Sequence, residues 1–294
     1  MSLPQPPFSF AARLALLAQR FGLVARQRPM VERAGLARLP FKALLAPQDS
    51  IWWQDGPPLE RLVDLPRGAL SGPVQQVKAQ AHQLLVRCVE LHSQVLDAFD
   101  LRELDGVCAP RGEQEAHLHL EDFAATPAGR AVRIISYKDF VKAISLALPR
   151  YLTGQQIEVR QADWHGNRLY WGGSHQAAAF CVALVYARRR GLQVILPALR
   201  QQYRLNVAGL AALDGAFHVL ALPEEAWAQP QFMNLLLSNG TPYARIDQIS
   251  PPGTPEWLLL PRADAAADAL GSALRQAGAA DIPGYLGSLR HQRS

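Results

Sequence analysis

The residues best placed to do chemistry lie in one run, Asn167-Arg168-Leu169-Tyr170-Trp171-Gly172-Gly173-Ser174-His175-Gln176. An apolar stretch from Ala177 to Ala187 follows, and then Arg188-Arg189-Arg190-Gly191. Leu169 to Trp171 has strand character and Ala177 to Arg190 reads as a helix. Gly172 and Gly173 are expected to make the sharp turn between them, because glycine reaches backbone angles that other residues avoid. Ser174 is expected to cap the helix by accepting a bond from its first turn. Gly191 marks the helix end, after three arginines placed where positive charge is favoured. A strand, a Gly-Gly turn and a helix N-terminus together make a place where an anion can bind. A nucleophile–base reading of Ser174 and His175 is weaker. Adjacent residues at a helix start seldom point at each other, and no third residue can be assigned to orient the base. The bland alternative is a tight turn with a helix cap.

His117, His119 and Glu121 alternate in the sequence. In a strand they would share one face, enough for a partial metal site, although such alternation more often marks one wet face, and no metal ligand is assigned. Cys88, Cys108 and Cys181 are odd in number and widely spaced, with no CxxC, so neither a disulfide framework nor a zinc site is indicated. Cys181, inside the apolar helix, is expected to be a small core residue.

The chain has 294 residues, 49% of them hydrophobic and 19% charged, the balance of a globular protein and not a disordered one. The formal charge is +5, and 26 of the 30 basic residues are arginine. Arginine grips phosphates and carboxylates with a planar fork, so DNA is a permitted partner. The same composition is also what a GC-rich bacterial genome encodes. No run of 18 apolar residues and no secretory pattern is present, so the expected location is the cytoplasm, without integral membrane contact.

The elements that must position the central run read as follows. After a Pro-rich lead-in, Phe10, Leu14, Leu17, Phe21 and Val24 recur at helical spacing beside Arg13, Arg20, Arg26 and Arg28, a basic amphipathic helix. Residues 37–72 carry prolines with Trp52 and Trp53, so short elements docked through the tryptophans are expected. Val74 to about Asp100 reads as a helix, with Leu84 to Leu91 also compatible with a strand. Val132 to Ser136 looks like a strand, Tyr137 to Leu148 an amphipathic helix, and Ile157 to Val159 a strand. Asp163 to Asn167 makes a turn, and Leu192 to Leu196 is again strand-like. Arg200 and Arg204 could join Arg188 to Arg190 in a basic patch. Further on, Phe217 to Leu222 and Trp257 to Leu260 read as buried strands, and Tyr243 to Ile249 as an exposed one. Glu224 to Leu237, Asp264 to Ala277 and Ile282 to Leu289 read as helices.

The order helix, strand, hairpin, strand, Gly-Gly turn, helix, strand over about residues 131–200 resembles the ParB/sulfiredoxin-like fold. In sulfiredoxins the turn reads Gly-Gly-Cys-His-Arg; here it is Gly172-Gly173-Ser174-His175-Gln176. The resemblance implies that these five residues contact nucleotide phosphates, with ATP or CTP and magnesium as candidate ligands. Two departures matter. Ser174 stands where the thiol would be, so thiol redox chemistry is not expected, and Gln176 replaces an arginine clamp for phosphate. The expected class is α/β (α+β), with a ParB/sulfiredoxin-like mixed-sheet core. The expected domains are a mainly helical N-terminal region with a Pro/Trp-rich connector (1–130), the core (131–200) and an α/β C-terminal extension packed on it (201–294). The expected function is binding of a nucleotide or other phosphate-bearing ligand. The alternative is a non-enzymatic DNA- or protein-binding factor of partition, mobile-element or regulatory type.

Overall fold

A computed structural model describes residues 39–112, 115–237, 240–246, 249 and 255–291. The amphipathic helix expected around Phe10 to Val24 lies outside them. Strand β1 (Leu70–Ser71) and helix α1 (Gln75–Leu85) lead into the long strand β2 (Val89–Asp100), followed by β3 (Gly106–Val107), α2 (Leu120–Ala124) and α3 (Pro127–Arg130). The middle of the chain runs α4 (Tyr137–Ala147), β4 (Ile157–Ala162), β5 (Tyr170–Trp171), α5 (Ala177–Arg190) and β6 (Ile195–Leu205). The last third runs α6 (Val207–Ala216), β7 (Phe217–Leu222), α7 (Pro230–Leu237), β8 (Ala244–Ile246), β9 (Glu256–Pro261), α8 (Ala265–Gln276), β10 (Ala280–Asp281) and α9 (Ile282–His291).

The fold is α+β, built on two five-stranded sheets. One is mixed, in the order β2-β6-β4-β5-β3; the other is antiparallel throughout, in the order β1-β8-β9-β7-β10. In the mixed sheet β4 runs parallel to β6 and antiparallel to β5. As the sequence suggested, β4, β5 and β6 share this sheet. Helix α5 packs against it through Phe180, Cys181 and Leu184, which share a core with Val159, Trp171 and Ala198. The opposite side of the mixed sheet contributes Ala162, Tyr170 and Tyr203 to a second core, shared with Val219, Trp257 and Leu259 of the other sheet. Strand pairing crosses the limits expected near 130 and 200, since β2 pairs with β6 along most of its length.

Several expected elements are corrected by this pairing. The helix foreseen to about Asp100 ends at Leu85, and the residues from Val89 onward are strand, because β6 supplies a partner for their backbone groups. Pro197 sits inside β6. Opposite it the register of β2 shifts between Leu96 and Phe99, a bulge where proline has no N–H to give the ladder. Val132 to Ser136 forms no strand; Ser136 instead caps α4 by accepting from the Asp139 N–H at 3.2 Å. The helix foreseen over Glu224 to Leu237 is divided into a short 3-10 turn and α7, which starts at Pro230, where a missing N–H costs nothing. Ala244 and Ile246 of β8 are buried, not exposed. No helix among the described residues is long and apolar enough to cross a membrane.

Candidate functional site at the Gly172–Gln176 turn

The turn is reached through β5, two residues long and held on both sides. Tyr170 and Trp171 pair with Arg160 and Val159 of β4, and with Gly106 and Val107 of β3. The Tyr170 hydroxyl donates to the Ser50 carbonyl at 2.8 Å. Before the strand, Gly166 and Asn167 both take left-handed backbone, with φ of 66° and 58°. Leu169 N–H then donates to the Asp105 carboxylate at 2.9 Å, and the Arg168 guanidinium donates to the Leu118 carbonyl at 2.7 Å.

Gly172 and Gly173 do not have the positive φ expected of them; steric approach explains both. A Cβ on Gly172 would lie 2.8 Å from the Glu158 side chain, and the Gly172 N–H donates to the Glu158 carbonyl at 2.7 Å. A Cβ on Gly173 would lie 2.2 Å from the Trp171 indole. That indole stacks on Phe180 of α5 with centroids 4.0 Å apart, so it fixes the angle at which the helix leaves the sheet.

The expected cap is also corrected. The residue at the N-cap is Gln176, in left-handed backbone with φ 53°, and it makes no side-chain cap bond. Ser174 lies two residues too early. The first helical bond runs from the Phe180 N–H to the Gln176 carbonyl at 3.0 Å, which leaves the N–H groups of the first turn without an intrahelical acceptor. Ser174, His175 and Gln176 are exposed around this end. Among the described residues the Ser174 and His175 side chains form no hydrogen bond, so no nucleophile–base pair is assembled. The other end follows expectation: Gly191, at φ 63°, caps the helix, with Leu192 N–H donating to the Ala187 carbonyl at 2.9 Å.

Next to Gly172 lies a polar cluster that sequence reasoning missed. Arg160 Nε donates to Glu158 Oε1 at 2.5 Å, Cys108 and Tyr203 lie within electrostatic reach of both, and Glu60 within reach of Arg160. Glu60 accepts from the Trp53 indole N–H at 3.3 Å, while its other oxygen is buried without a partner among the described residues. Burial pushes the Glu60 carboxyl up. It also pushes the Cys108 thiol up to about 12, so the thiol stays protonated and is a poor nucleophile. The available signal was the charged pair at i and i+2 in Glu158-Val159-Arg160, which places both on one face of a strand.

The remaining candidates separate. His117 and His119 are not in a strand, and Glu121 lies in α2, where it accepts from Arg188 at 3.0 Å. Burial raises the Glu121 carboxyl, but the Arg188 bond and the backbone outweigh it and hold it below its usual value. Among the described residues no cluster of three metal-ligating side chains occurs. Arg188 is not part of a surface patch: it reaches inward to the carbonyls of Arg102 at 3.0 Å and Leu104 at 2.5 Å. Cys181 is fully buried, as expected for a core residue.

No curated protein and no solved structure matches the chain. Residues 94–294 match the model of the family described as "Family of unknown function (DUF6685)". That span takes in the candidate turn and all but the edges of both sheets, so the chain belongs to this family.

Proposed function

We propose that the protein binds a nucleotide or other phosphate-bearing ligand at Gly172, Gly173, Ser174, His175 and Gln176, as a bacterial, cytoplasmic member of its family. The observation that carries this is the open start of α5. It is a 14-residue helix whose N-cap side chain makes no cap bond, with three exposed polar side chains wound around it. Unsatisfied N–H groups and the positive end of the helix dipole favour an anion there. His175 and Ser174 add donors. The ParB/sulfiredoxin-like resemblance supports the same residues and suggests ATP or CTP with magnesium.

The test is a thermal-shift screen against ATP, CTP, GTP and their diphosphates, with and without magnesium. Ligand at about a hundred times its Kd stabilises the native state by about 2.7 kcal/mol. His175→Ala should abolish that shift and leave the unliganded Tm unchanged, since the exposed imidazole bonds to nothing else described. No shift with any phosphate compound would reduce the turn to a helix start.

A second reading, a non-enzymatic factor that binds DNA or a protein through basic surfaces, is favoured by a different observation. Arg67, Lys78 and Arg87 carry no acid partner among the described residues, whereas Arg102, Arg111, Arg160, Arg188, Arg245, Arg262 and Arg275 are each tied to a carboxylate.

A further inference from the structure

Those three cations line one groove. It has a volume of about 710 Å³ and runs along the outer face of α1 opposite the segment Arg67 to Leu70. Gln75, Lys78 and His82 supply the helical wall, at the spacing that puts them on one face, Arg87 follows just past the helix end, and no Asp or Glu lines the groove. The opposite wall is tied to the helix by the His82 ring, whose Nε2 sits 2.8 Å from the Leu65 carbonyl. Arg67 and Arg87 are exposed and Lys78 half-buried, so the charges face the groove and solvent and not a partner within the fold.

We infer that this groove holds a run of phosphate groups, from a nucleic-acid backbone or a free polyphosphate. This inference rests on the second reading and does not involve the Gly172–Gln176 turn. Lys78 stands on the helix, Arg87 nine residues on and just past its end, and Arg67 on the opposite wall, so the three cations sit at separate points of the groove and present donors to successive phosphates and not to one point charge. The lining contains no Phe, Tyr or Trp on which a base could stack, and its one imidazole, His82, is tied to the Leu65 carbonyl. Recognition therefore falls on the phosphates and carries no sequence information. The concave shape concentrates the positive potential where an extended anion would lie.

Anisotropy of a short labelled DNA duplex on the full chain, with long-chain inorganic polyphosphate as competitor, tests this. Three cations predict that log K falls with log salt with a slope of about −2.7, which is roughly a 40-fold loss between about 50 and 200 mM salt. Each of Arg67→Gln, Lys78→Gln and Arg87→Gln should lower that slope by about one, and the triple variant should lose binding at unchanged Tm. Competition by polyphosphate at low concentration assigns the groove to free polyphosphate; failure to compete assigns it to a nucleic-acid backbone. If wild type binds duplex and the triple variant binds as tightly, the groove inference is overturned and the second reading survives. If wild type binds neither duplex nor polyphosphate at about 50 mM salt, where such contacts are strongest, both fall. Displacement by poly-glutamate as readily as by polyphosphate would overturn phosphate recognition.

Discussion

At the scale of single residues, the two glycines of the central turn are needed for space and not for rare backbone angles. Gly173→Ala should destabilise the protein by about 1–3 kcal/mol, the usual cost of overpacking. The Trp171 ring that a methyl would strike is itself held against Phe180. Gly172→Ala meets the Glu158 side chain at 2.8 Å, a less severe approach than the 2.2 Å at Gly173, so its cost should be smaller. Paired urea melts of the two variants check the order. Arg188 makes a different prediction. Replacing it by Met removes the donors to the Arg102 and Leu104 carbonyls and to Glu121, and an orphaned buried acceptor costs about 1–3 kcal/mol. For a domain of this size that lowers the Tm by roughly 2–4 °C per kcal/mol.

His218 carries the pH dependence at this scale. Its ring is buried, 2.7 Å from Asp268 and 3.3 Å from the Arg262 guanidinium. Burial lowers its pKa below 6.5, the Asp268 bond opposes this, and the arginine charge adds to the lowering. The fold therefore prefers the neutral ring. As pH falls through 6.5 the unfolded chain takes up the proton first, so stability declines until the lowered native pKa is reached. Tm should fall between pH 8 and pH 5, and His218→Gln should show a shallower fall over that window.

At the scale of elements, the start of α5 stores strain. A non-glycine residue in left-handed backbone costs about 1–3 kcal/mol, and Gln176 occupies that position without a compensating cap bond. Gln176→Gly should be neutral to stabilising in thermal melts, although glycine also adds freedom to the unfolded chain. A fall of several degrees would mean that the Gln176 side chain holds the helix start. The β2–β6 pair shows the reverse dependence, of sequence on partner. Pro197 breaks the ladder, and Asp97 and Ala98 are left without partners opposite it. Deleting Ala98 should force the register of β2 past the proline and destabilise the mixed sheet.

At the scale of the whole molecule, the family match begins inside β2, but the fold needs what precedes it. Trp52 and Trp53 are consecutive and 2% and 3% exposed, and they enter different cores: Trp52 packs under α5's side of the mixed sheet, Trp53 between the two sheets. The bridge of Trp52 to Val107 and the pairing of β1 with β8 tie the same segment to both sheets. A chain cut to residues 94–294 should therefore lose cooperative melting, measured by near-ultraviolet circular dichroism. Retention of a sharp transition would show that residues 1–93 only decorate the family fold.

The sequence by itself determined the features that act over a few residues. The apolar helices α4, α5 and α8, the Gly191 helix end, and the strand–Gly–Gly–helix order were legible because periodicity and helix stops are local. The α+β class followed from them. Only the tertiary structure decided the rest. Val74 to about Asp100 reads as helix, with only Leu84 to Leu91 open to strand, until β6 provides the partner for Val89 onward. Gly172 and Gly173 reveal their reason only beside Glu158 and Trp171, and Gln176, not Ser174, proves to be the N-cap. Arg188 looked like surface charge until the carbonyls of Arg102 and Leu104 came within its reach, 86 and 84 residues away in sequence. Strand pairing, close approach and buried hydrogen bonds depend on atoms distant along the chain, and a pattern read in a short window does not contain them.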